Sequence, residues 1–120
     1  MREVSISREG AGPVCERCRV AESPLRRMKG LLGRAELPSG EGLLLRPASS
    51  IHTFFMRFPI DAVFLDRELV VRRVVPRLKP ARLAVALRSH AVLELPAGEC
   101  ERRGLVSGDR LVPSEPLWSC

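Results

Sequence analysis

Three side chains suited to moving protons, His52, Asp61 and Glu94, fall in or beside apolar stretches of this 120-residue chain. A histidine titrating near neutrality beside a carboxylate is common equipment for general acid–base work. His52 and Asp61 sit in stretches 51–57 and 60–66, which read as adjacent strands, so a hairpin would bring the two together. Glu94 interrupts Val92-Leu93-Glu94-Leu95, where a carboxylate either meets solvent or is buried with a partner. Arg34 and Arg57 are the candidate partners. Each group also has a plain structural reading, as an edge histidine, a strand-end carboxylate or an ion pair. No phosphate loop, GxGxxG run or nucleophile elbow accompanies them, so no residue is assigned as catalytic.

Cys15-Glu16-Arg17-Cys18 has the spacing of half a zinc site. A closed site needs two more ligands, and Cys100, Cys120, His52 and His90 form no second knuckle. In a regular strand over 14–20 the two thiols would point to opposite faces, one buried and one exposed. Neighbouring Arg17 and Arg19 would then favour the Cys15 thiolate. No metal site and no cofactor is expected.

The elements that must position these groups are mostly strands. Stretches 4–7 and 14–20 read as a pair turned by Gly10, Gly12 and Pro13. Ser23 suits a helix N-cap and Pro24 the first helical position. Leu25, Met28 and Leu32 then give one apolar stripe, with Gly33 as the stop. A turn-rich stretch, Pro38-Ser39-Gly40-Glu41-Gly42, leads to a short strand at 43–45. Asp66-Arg67-Glu68 turns into the β-branched stretch 69–75, and 76–80 reads as a loop. A strand at 91–95, a short helix at 99–103 ended by Gly104, and a strand at 110–112 complete the pattern. The expected fold is mainly β (α+β), a single small sandwich- or barrel-like domain with one or two short helices over residues 1–113. Residues 114–120 form a loose C-terminal tail.

Composition agrees with one small domain. Apolar residues make up 45 % of the chain, enough for one core, with four Phe, one Trp and no Tyr. No apolar run is long enough to cross a bilayer, and the charged first twelve residues do not read as a signal peptide, so a cytoplasmic address is expected. The net charge of +6 is uneven, at +2 over 1–66, +6 over 67–90 and −2 over 91–120. The basic middle lacks aromatic platforms and any nucleic-acid-binding signature, and a solvated face is the simpler reading.

The chain also resembles a known family. Gly30-Leu31-Leu32-Gly33-Arg34, Gly42-Leu43-Leu44, the run from Ser50 to Asp61 with Phe64-Leu65-Asp66, Leu93-Glu94-Leu95-Pro96-Ala97-Gly98, and Gly104 with Gly108-Asp109 occur in that order. Together they look like the bacterial and archaeal family filed as domain of unknown function 192, from about residue 14 to residue 112. The resemblance implies a compact β-rich domain with a short helix at the Gly-Leu-Leu-Gly-Arg block, and no established activity. Carried over, its motif residues are Gly30, Gly33, Arg34, His52, Phe55, Met56, Arg57, Pro59, Asp61, Glu94, Gly98, Gly108 and Asp109. Three places depart from the pattern. The turn at Asp66-Arg67-Glu68 lacks a Gly, Ala81 stands where relatives commonly place an aromatic, and the cysteines match no motif.

Glycines and prolines in such motifs answer backbone demands. The remainder, Arg34, His52, Phe55, Met56, Arg57, Asp61 and Glu94, are the candidate ligand-binding set, in a small cleft where 51–61 meets Arg34. A monomeric, non-enzymatic or accessory binding domain for a small ligand or a protein is the leading expectation. An enzyme using His52, Asp61 or Glu94 as acid and base, or an interaction module using the basic face of 67–90, are the alternatives. Nucleic acid is not expected as a partner.

Overall fold

The computed structural model describes residues 2–117, which form nine strands and two short helices. In chain order these are β1 (Arg2–Arg8), β2 (Pro13–Ala21), α1 (Pro24–Lys29), β3 (Glu41–Leu45) and β4 (Ser50–His52). There follow β5 (Ile60–Leu65), β6 (Val71–Leu78), β7 (Leu83–Val85), β8 (Ala91–Pro96), α2 (Glu99–Arg103) and β9 (Leu111–Pro113). Seven strands form one curled, half-barrel sheet in the order β6-β5-β8-β3-β2-β1-β9, antiparallel except for the parallel pair β2–β3. Its two edges meet at one corner, where Val70 bridges to Arg110 and the Val71 N–H donates to the Asp109 carbonyl. The mainly β, single-domain expectation holds. No helix among the described residues is long and apolar enough to cross a membrane.

The sheet has an apolar layer on each face. The concave side holds Val4, Ile6, Val14, Leu44, Val63, Leu65, Leu93 and Leu95. The convex side holds Leu43, Leu45, Ile60, Ala62, Phe64 and Val92, covered by Leu31, Ile51, Met56 and Ala84. β5 and β8 are therefore apolar on both faces, which is why their runs do not alternate.

Several local expectations change. The reading of one buried and one exposed thiol fails, because Cys15 and Cys18 are both buried on the concave side. Val4 pairs with Cys18 and Ile6 with Cys15, so three residues of β2 span two of β1. That bulge turns both thiols inward. The hydrogen bond with the Cys15 thiol beside it, and then burial, push the Cys18 thiol upward, away from the thiolate. Arg17 reaches outward to Glu41 at 3.3 Å.

α1 is capped as expected, with the Ser23 hydroxyl accepting from the Arg26 N–H at 3.1 Å. It stops at Gly30, whose φ of +48° ends the helix before the stripe reaches Leu32. The expected stripe does not face the core: Leu25 and Met28 are exposed, and Leu31, just past the cap, is inserted instead. The strand expected over 51–57 ends at His52, and 53–59 is a set of turns. β6 runs on through Pro76, which an edge strand tolerates, and β7 was not expected. In the segment expected to be a loose tail, the Ser114 N–H donates to the Ser5 carbonyl and Leu117 is buried on the concave side. Trp118, Ser119 and Cys120 lie outside the described residues.

Candidate functional site

The interior strands β5 and β8 each carry a buried carboxylate, and alternation sends the two to opposite faces. Asp61 lies opposite Leu95, on the concave side, whereas Glu94 lies opposite Leu43 on one neighbour and Ala62 on the other, on the convex side. Asp61 is fully used by the backbone. Its Oδ1 accepts from the Arg77 N–H at 2.8 Å and the Gly98 N–H at 3.1 Å, and its Oδ2 from the Cys100 N–H at 2.9 Å. Three N–H groups from β6 and the start of α2 thus converge on one carboxylate, which ties that corner of the sheet together.

Glu94 is the opposite case. It is 3 % exposed, and its carboxyl group makes no hydrogen bond or ion pair with any described residue. Removal from water, with nothing to offset it, pushes its pKa up to about 8. At neutral pH the side chain is therefore mostly the neutral acid, able to donate one hydrogen bond and accept another.

Glu94 faces a cavity of about 260 Å³ between the convex side of the sheet and a cover made of α1, the turn at 30–32, the 47–50 loop and β4. That volume holds on the order of eight waters. The walls are apolar, with Leu31, Leu32, Leu45, Ile51 and Met56 among them. The rim is basic and polar, with Arg27, Lys29, Ser49, Ser50 and His52. Arg27 spans the rim: its Nη1 donates to the Pro47 carbonyl at 2.9 Å, while its Nε is buried without a hydrogen-bond partner. Two polar groups at this cavity are thus left unsatisfied by the protein itself. Gly30 belongs to the same design, since a Cβ there would stand 3.9 Å from the Glu94 Oε1.

Of the residues singled out from the sequence, Glu94, His52 and Met56 come together at this cavity, as floor, rim and wall. The others do not join them. Arg34 turns away to Glu41 at 3.1 Å, and Asp61 is on the other face of the sheet. Phe55 is 89 % exposed, and Arg57 is exposed with no ion pair to a described acid. The expected convergence of Arg34, Arg57, Asp61 and Glu94 is therefore absent, because strand alternation separates the acids and a turn, not a hairpin, follows His52. β4 pairs with β7 rather than β5, so the acid–base pairing of His52 with Asp61 is absent too. His52 instead stacks against Phe54, with ring centroids 5.3 Å apart.

Sequence reasoning missed Arg27, read only as a charge off the helix stripe, and Thr53, the buried hydroxyl that fixes the turns beside the cavity. The Thr53 Oγ1 donates to the Lys79 carbonyl at 2.6 Å and accepts from the Arg82 N–H at 2.9 Å. A threonine between a strand and Phe-Phe gave no signal of this, since its partners are about thirty residues away in sequence. Among the described residues, no three His, Cys, Asp or Glu side chains are placed to hold a metal ion.

Residues 4–113 match the family model described as an uncharacterised ACR, domain of unknown function 192. The chain belongs to that family. Two solved structures share this fold. One, from Novosphingobium aromaticivorans and of unknown function, is 24 % identical, with 92 % of this chain and 83 % of that one covered and a TM-score of 0.80. The other, described as a candidate transcription regulator from Sinorhizobium meliloti, is 22 % identical, with 93 % and 92 % covered and a TM-score of 0.82. At these identities the likeness is one of fold. No curated protein matches the chain.

Proposed function

We propose that this chain is a monomeric, cytoplasmic binding domain for a small anionic molecule with an aliphatic body, held in the cavity above Glu94. The observation that carries the reading is a buried acid with no partner, facing an apolar cavity whose rim is cationic. Protein interiors satisfy buried polar groups, and an orphan at the floor of a cavity marks where a ligand atom belongs. The rim cations Arg27 and Lys29 select a carboxylate or similar anion at the mouth. The neutral carboxyl of Glu94 takes a hydroxyl or carbonyl at the far end, and the leucines, Ile51 and Met56 enclose the chain between.

The test is ligand-observed NMR with hexanoate and ω-hydroxyhexanoate. The hydroxy acid should bind about tenfold more tightly, the difference one buried hydrogen bond supplies. Glu94→Leu should erase that preference while hexanoate binding remains. A preference that survives Glu94→Leu, or no binding of either acid, would sink the reading. A second reading, proton transfer by Glu94 and His52 on such a ligand, is favoured only by their sharing one cavity. It requires turnover that Glu94→Gln abolishes.

A further inference from the structure

The charge of the molecule is segregated more sharply than its net value suggests. Stretches 23–35, 42–60 and 69–93 hold twelve Lys and Arg and no Asp or Glu, whereas the rest of the chain holds eight basic and fourteen acidic residues. The fold brings these stretches together. Arg27 of α1 donates to the Pro47 carbonyl, β4 pairs with β7, and the Thr53 hydroxyl joins the Lys79 and Arg82 backbone. The first two stretches line the cavity above Glu94, and the third joins them through β7. Arg26, Lys29, Arg57, Lys79, Arg82 and Arg88 lie on them, and none ion-pairs with a described acid.

The same stretches carry the apolar side chains left in solvent. Leu25 and Met28 project from α1, Leu83 and Val85 from the outer face of β7, and Leu87 from the loop after it. Phe54 and Phe55 cap the turn after β4, and Phe55 is held outward at a φ of +67°. A non-glycine residue in the left-handed region costs conformational energy, and here no packing within the fold offsets it. Among the described residues, only Val106 and Val112 of the large exposed apolar set lie elsewhere.

We propose that this pole docks on an anionic lipid bilayer, with Phe54, Phe55, Leu83 and Leu87 entering the headgroup–acyl boundary and the unpaired cations meeting lipid phosphates. Three features favour a bilayer over other polyanions. The exposed set is mostly aliphatic, which suits acyl chains and gives nucleobases little to stack on. The cations are interleaved with that set, as an interface needs and a purely electrostatic groove does not. Acidic side chains, which anionic lipid would repel, are absent from all three stretches. This inference does not rest on the ligand assigned to the Glu94 cavity.

Flotation of the full chain with vesicles tests it, using phosphatidylglycerol and phosphatidylcholine in equal parts against phosphatidylcholine alone. The chain should float with the anionic vesicles only. Phe55→Ser should weaken binding about tenfold, and Arg57→Ser and Arg82→Ser about fivefold each. Leu87→Ser, at a second exposed position, repeats the apolar test independently of the Phe54–Phe55 turn. Glu94→Gln should float like the parent chain, separating this surface from the cavity. Equal flotation with neutral vesicles, or none with either, overturns the proposal. Binding that salt abolishes and that Phe55→Ser and Leu87→Ser leave unchanged also overturns it, in favour of a soluble polyanion such as RNA or an acidic protein.

Discussion

Two regions of this small domain each bury acid, and they treat it in opposite ways. At one, Asp61 takes three backbone N–H groups, and Glu99 takes the Arg102 Nε at 3.0 Å, the Arg103 Nη2 at 3.2 Å and the Gly40 N–H at 3.2 Å. Burial alone would raise the pKa of Glu99, but Arg102, the Gly40 N–H, Ser39 and Arg103 together hold it below the usual carboxylate value. At the other, Glu94 is equally shielded from solvent, with no such partners, and its pKa rises. The same residue type, equally shielded from solvent, thus does two jobs. Where the fold saturates a carboxylate, the group is structural; where the fold withholds every donor beside an open cavity, the group is reserved for something from outside.

That contrast can be broken most severely at Asp61. Asp61→Ala leaves three N–H groups without an acceptor and should cost about 4 kcal/mol in urea-induced unfolding, with Asp61→Asn costing roughly half. A loss under about 1 kcal/mol would mean the corner is not held this way.

Glu94 should behave in the reverse sense. Its folded pKa of about 8 lies above the ordinary 4.5, so the folded state keeps a proton that the unfolded state releases between those values. Its contribution is most favourable below the unfolded value and is lost as pH rises through the folded one. Glu94→Gln should therefore match the parent chain at pH ~5 and be more stable by on the order of 3 kcal/mol at pH ~9, read from thermal unfolding at both. Equal stability of the two proteins at high pH would contradict the assignment.

Thr53 sharpens the comparison on the cavity side, where one hydroxyl supports the wall. Thr53→Val keeps the volume but leaves the Arg82 N–H and the Lys79 carbonyl unpaired, and should cost about 2 kcal/mol. The smallest effect belongs to the exposed tip. Phe55→Ser should change stability by less than about 0.5 kcal/mol, since the ring touches solvent and its role lies outside the fold.

Much of this was legible in the sequence, and the failures have physical causes. Ser23, Pro24, Gly98 and Gly104 mark their helix ends because capping and left-handed backbone are local demands. Glu94, His52 and Met56, singled out from the sequence, line one cavity. Asp61 does not join them because residue type says nothing about which face of a sheet a side chain takes, and Arg34 and Arg57 do not because they lie in turns and loops whose direction the pattern does not give. One bulge in β2 reversed the reading of Cys15 and Cys18, and β7, three residues with one buried alanine, carries too little pattern to see. The α1 stripe misled because a helix of six residues ends before its apolar face can reach the core. An exposed stripe and an orphan acid are the places where local pattern and global fold disagree, and such places tend to serve function.

Glu94 has no hydrogen-bond or ion-pair partner among the described residues, while the acid five residues on is saturated. Carbon-detected NMR titration of the glutamate carboxyls measures both in one sample. The account predicts Glu94 titrating near pH 8 and Glu99 below its ordinary value. A Glu94 that titrates with the exposed glutamates would mean water or a protein donor already reaches it, and the case for a ligand above it would fail.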